Sequence, residues 1–117
     1  DRNIGIAVDT FDLHAAGIEP EALRSLASER IFLVRLSDCE DLSPPLLTDT
    51  GRLIPGEGKA DLKTMIHLLS HAGYSEPLSL KILTPRLLPM RPKEIAQVVF
   101  DATEPFLTVD GDIEILS

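Results

Sequence analysis

The chain contains no tryptophan, one tyrosine and four phenylalanines, so aromatic residues make up only 4% of its 117 positions. Its core must therefore be aliphatic. Cys39 is the single cysteine, which excludes an internal disulfide framework and any multi-cysteine zinc site. No apolar run approaches the roughly 18 residues of a membrane-spanning helix. Positive charge is scarce: 11 Lys and Arg face 19 Asp and Glu, a net charge of −8. Non-specific binding to nucleic acid or to an anionic membrane requires the opposite balance, so neither is an expected partner. No signal peptide opens the chain, and the cytoplasm is the expected location. The missing initiator Met is read as a processed chain or a piece of a longer one.

What is present is an ordinary globular composition, 44% hydrophobic and 26% charged. Ile4 to Val8 is a short, β-branched-rich run that reads as a buried strand. Gly17-Ile18-Glu19-Pro20 opens a helix, with Pro20 at its first position and Leu23, Leu26 and Ala27 on one face through about Ser28. Ile31 to Leu36 is a second strand whose nearly continuous apolar character fits burial on both faces. Ser37 to about Ala60 reads as a long loop, rich in Asp and Glu, of the length that usually carries function. Asp61 is an N-cap for a helix with Leu62, Met65, Ile66, Leu69 and Ala72 at helical spacing, and Gly73 marks its end. Leu78 to Leu83 is a third strand, and Pro92 starts a third helix that ends near Pro105.

Strand and helix alternate three times, which predicts an α/β fold of three consecutive βα units with parallel strands. Residues 1–105 form this unit. Residues 106–117 break the pattern: Phe106 to Val109 and Asp112 to Ile115 around Asp110-Gly111 read as a C-terminal β-hairpin tail.

Four stretches carry a resemblance. Val8-Asp9-Thr10-Phe11 ends the first strand, and Ile31 to Asp38 ends the second on an aspartate. Arg52-Leu53-Ile54-Pro55-Gly56-Glu57-Gly58 and Gly73-Tyr74-Ser75-Glu76-Pro77-Leu78-Ser79-Leu80 follow in order. Together they resemble the xylose isomerase-like TIM barrels, the sugar phosphate isomerase/epimerase family, over about residues 3–104. The resemblance implies the last three βα units of an eight-unit barrel, which needs another segment or subunit to close.

It also implies a divalent metal, Mg²⁺, Mn²⁺ or Zn²⁺, that polarises a carbonyl and eases proton abstraction beside it. Asp9 matches the first metal ligand. The position usually held by His or Gln is Arg35, the position usually held by Glu is Lys81, and the His usually found three residues after the first Asp is Asp12. Arg and protonated Lys offer no lone pair to a metal. The metal is therefore expected to be absent from this chain, replaced by an ion cluster of Asp9 with Arg35 and Lys81. Arg35 and Lys81 can equally face solvent, or form a cationic pocket for a carboxylate or phosphate. Arg52 matches a loop arginine that contacts substrate in similar proteins, and Glu57 matches the glutamate of the same loop. Arg52, Arg35, Lys81 and Glu57 are thus the expected substrate-binding set.

Other groupings carry less. Asp9, Asp12 and His14 offer an alternative metal set. His67 and His71, one helical turn apart, read as surface or interface residues because no HExxH glutamate accompanies them. Cys39 lies between Asp38 and Glu40, whose charges disfavour a thiolate nucleophile. The leading expectation is part of an isomerase, epimerase or dehydratase acting on a small sugar or keto acid, with a degenerate metal site. The alternative is a non-catalytic barrel-derived module that binds a partner or an anionic metabolite.

Overall fold

A computed structural model describes residues 2–107. Among the described residues five strands follow in order: β1 (Ile6–Asp9), β2 (Ile31–Leu36), β3 (Asp38–Cys39), β4 (Arg52–Leu53) and β5 (Leu78–Leu80). β1, β2 and β5 form one parallel sheet with β2 in the middle. The crossover from β2 to β5 runs through helix α2 (Leu62–His71), as a parallel pair requires. The expected α/β architecture with parallel strands is therefore present.

The apolar character of the strands and of α2 explains the core. Val8, Ile31, Val34 and Leu36 meet Leu62, Met65, Ile66, Leu68 and Leu69 of α2, together with Leu23, Tyr74 and Leu107. Each fully buried aliphatic side chain contributes roughly 1.5–3 kcal/mol. α2 begins where expected: the Asp61 carboxylate accepts the Thr64 N–H at 3.3 Å. It also stops where expected, because Gly73 takes a left-handed φ of 98° beyond the C-cap Ala72.

Several expectations are corrected. β2 is buried only in part: Ile31, Val34 and Leu36 are buried, but Phe32, on the face of Val34 and Leu36, is 51% exposed, and Arg35, on the face of Ile31, is exposed. Three strands cannot curl into a closed barrel, so neither face of β2 is covered along its whole length. The first helix is not at Pro20. A short helix α1 (Thr10–Ala15) follows β1 at once, capped by Asp9, and Pro20–Ser25 is a 3₁₀ segment. The long loop is not structureless, since β3 and β4 pair antiparallel within it. The third strand stops at Leu80 because the chain turns toward β4. Lys81 N–H still donates to Leu36 O, but Leu83 N–H donates to Arg52 O, both at 3.1 Å.

Helix α3 (Pro92–Leu107) starts at Pro92 and runs through Pro105. Phe106 and Leu107 are thus helical rather than part of a hairpin, and Leu107 is buried in the core. Burying that last turn outweighs the hydrogen bond Pro105 cannot make. The rest of the expected hairpin lies outside the described residues. Among the described residues, no helix is long and apolar enough to cross a membrane.

Candidate functional site

The carboxyl ends of β1 and β2 and the strand β4 bring their side chains to one point. Asp9 ends β1 and caps α1, and its Oδ1 accepts the backbone N–H of Phe11 at 3.0 Å and of Asp12 at 3.2 Å. Thr10, fully buried, ties β1 to β2: its hydroxyl donates to Ser37 O at 2.9 Å and accepts Ser37 N–H at 3.1 Å. This joint places Ser37 beside Asp9.

Arg52 occupies the centre and is 3% exposed. Its Nη1 donates to Asp9 Oδ1 at 3.0 Å, to Asp9 Oδ2 at 3.1 Å and to Ser37 Oγ at 3.1 Å. Nη2 donates to Asp12 Oδ1 at 3.2 Å, and Nε donates to Asp49 Oδ1 at 3.0 Å. The guanidinium carbon lies 4.4 Å from the centre of the Phe11 ring, within cation–π range. Burial disfavours the charged guanidinium, but the hydrogen bonds to Asp9 and Asp49 outweigh it, and the Arg52 pKa lies above its ordinary value. The hydrogen bond from Arg52 lowers the pKa of Asp49.

The loop that follows Arg52 is held by Asp38, 1% exposed at the start of β3. Asp38 Oδ1 accepts Cys39 N–H and Ala60 N–H, and Oδ2 accepts Gly56 N–H, each at 2.9 Å. Gly56 adopts a φ of 94°, and Gly58 lies so close to the Cys39 carbonyl that no Cβ would fit. Glu57 points outward and pairs with Arg86 at 2.8 Å.

The expected site residues are therefore only partly assembled. Asp9 and Arg52 meet directly. Arg35, the Cα register partner of Asp9, is exposed, and Lys81 follows β5 and acts on Asp49 electrostatically. The cation on Asp9 is Arg52, not Arg35 or Lys81. Asp9, Asp12 and His14 do not form a metal set: among the described residues no group of three or more His, Cys, Asp or Glu could hold a metal ion. His67 and His71 are exposed, with ring centres 4.2 Å apart. Cys39 is fully buried, and its pKa is pushed up to about 12, first by burial and then by Asp38. Ser37, Asp49 and Phe11 were not legible as site residues. Asp49 carried the one usable signal, its position three residues before Arg52 in an acidic stretch.

The divalent metal implied by the resemblance can be tested against these contacts. Both oxygens of Asp9 already accept from Arg52, and Oδ1 also accepts two backbone N–H groups. Arg35 and Lys81 bring no lone pair. The residues present do not fit a metal.

The sequence model of the xylose isomerase-like TIM barrel family matches residues 1–102. The chain is 31% identical to the inosose isomerase of Bacillus subtilis over 101 residues, covering 86% of this chain and 36% of that protein. It is 30% identical over 81 residues to the 3-dehydroshikimate dehydratase of Pseudomonas putida, covering 68% of this chain and 13% of that protein. A crystal structure of the IOLI protein with a binding zinc atom superposes with a TM-score of 0.85 at 29% identity, over 91% of this chain and 38% of that one. The chain thus spans about a third of the length of the inosose isomerases it matches. Over that span, the βα order, the parallel sheet and the matched residues agree: the chain belongs to the xylose isomerase-like TIM barrel family.

Proposed function

We propose that this chain supplies three consecutive βα units to a barrel of the isomerase, epimerase or dehydratase type acting on a sugar or keto acid, and that its metal site is degenerate. The observation that carries this reading is the closure of Asp9 by Arg52, at 3.0 and 3.1 Å, where a metal ligand is expected. The kinship with an inosose isomerase and a 3-dehydroshikimate dehydratase supports the substrate class, since both names denote small oxygen-rich carbonyl compounds. β1 and β5 are the outer strands of the sheet, and further βα units would pair with them.

Arg35, Lys81 and Glu57 are the proposed substrate-binding set, with Arg52, expected among them, held beneath by its own acceptors. In this reading Arg35 and Lys81 meet a carboxylate or phosphate, a task suited to the Arg fork. Glu57 offers its carboxylate to substrate hydroxyls from the loop that Asp38 holds. Arg52 fixes the floor of the site. A second reading, a non-catalytic module binding an anionic metabolite, draws on the same Arg35 and Lys81, because two cations can hold an anion without any chemistry.

The test uses the longest natural polypeptide containing this sequence. Inositol ketones, ketoses and cyclic keto acids are followed by NMR for turnover and by calorimetry for binding. Turnover supports the first reading, and binding of acids without turnover supports the second. Neither binding nor turnover overturns both.

A further inference from the structure

Three carboxylates from three different elements surround one guanidinium. Asp9 comes from the end of β1, Asp12 from α1 and Asp49 from the turn before β4. Like charges held this close repel unless a cation stands among them. The Arg52 guanidinium is that cation, and it is committed. Nε, Nη1 and Nη2 each have an acceptor, the Phe11 ring lies against the group, and Leu83 N–H holds the Arg52 carbonyl. A charge this buried is costly to leave unpaired, so the arrangement is mutually enforcing.

We infer that Arg52 is a resident cation that gathers Asp9, Asp12 and Asp49 and closes Asp9 to metals. This rests on the reading of the metal site as degenerate and adds what occupies the Asp9 carboxylate. A guanidinium has no vacant orbital, so it brings fixed positive charge and directional N–H donors rather than a coordination position. Its reach explains the side chain used. The planar fork contacts three carboxylates in three directions, which the single ammonium of a lysine does not reproduce. Arg52 is thus a positioning residue that sets where the carboxylates point.

The longest natural polypeptide carrying this sequence is dialysed against Mn²⁺ and then against buffer. Metal content and thermal unfolding are measured for it and for Asp9→Asn. The expected result is substoichiometric Mn²⁺ and an unmoved Tm. Stoichiometric Mn²⁺ that Asp9→Asn abolishes overturns the inference. Arg52→Ala is expected to lower Tm by roughly 10 °C, the scale for breaking a buried ion pair. Millimolar methylguanidinium should restore most of that loss, and NaCl of equal ionic strength should not. No rescue, or an unchanged Tm in Arg52→Ala, overturns the inference.

Should Arg52→Ala fail to fold, Arg52→Lys, Asp9→Asn and their double variant form a thermal cycle. Non-additive shifts are expected, and additive shifts overturn the inference. Rescue without any substrate binding would remove the functional reading and leave the resident cation standing. Turnover without rescue would do the reverse.

Discussion

The Asp38 carboxylate accepts the Gly56 N–H at 2.9 Å across eighteen positions of sequence. Its other oxygen takes Cys39 N–H and Ala60 N–H, so one buried side chain folds the loop between β4 and α2. Asp38→Ala leaves three backbone donors without their acceptor. We expect a loss of about 3–5 kcal/mol, because hydrogen bonds to a charged group are the costly ones to remove. Urea unfolding reads it, and a loss below about 1 kcal/mol would contradict this account of the loop.

Thr10 and Ser37 form the joint between the ends of β1 and β2, with the Thr10 hydroxyl both donating and accepting. Thr10→Val keeps the shape and removes both bonds in a fully buried place. The expected cost is about 2–4 kcal/mol, whereas Thr10→Ser should cost under about 1 kcal/mol. Equal effects of the two substitutions in a denaturation experiment would show that the hydroxyl is not what matters.

Cys39 has a pKa raised from 9.0 to about 12. The folded protein therefore keeps its thiol proton at a pH where the unfolded chain has lost it. Stability from this group is fully present below pH 9 and falls as pH rises from about 9 to 12. Cys39→Ala should flatten that part of the stability profile. At pH 8, modification by a thiol reagent should proceed only as fast as the protein opens. Rapid labelling of the native protein would contradict the burial.

Glu57 and Arg86 lie 2.8 Å apart but are 41% and 57% exposed. Such pairs contribute little in water, so Arg86→Ala should change stability by no more than about 0.5 kcal/mol. If Glu57 meets substrate hydroxyls as proposed, freeing it from Arg86 alters affinity instead. Calorimetric titration of an inositol ketone or a cyclic keto acid into Arg86→Ala and the unaltered protein separates the two roles.

Much of the scaffold follows from local pattern. The apolar runs at β1, β2 and β5 and the helical spacing from Leu62 to Leu69 dictate a βα alternation, and alternation dictates parallel strands. Asp61 and Gly73 bound α2 by chemistry that acts within a few residues. The same kind of signal was present at Asp9, an N-cap, but the helix it opens is only six residues long and leaves too little periodicity to read. Pro105 misled in the other direction, because a tertiary contact of Leu107 carries the helix past it.

The sequence by itself determined the fold class, the family and the absence of metal-ligand chemistry at positions 35 and 81, since these depend on residue type and order. Only the tertiary structure decided which cation meets Asp9. Arg35 is adjacent in the sheet register yet exposed, while Arg52, forty-three positions away, reaches Asp9 because β4 and the turn before it carry its side chain inward. Pairing across such a separation depends on where loops pack and on which face of the sheet they close, and neither is written in local spacing. The burial of Asp38 under the same loop was set in the same way.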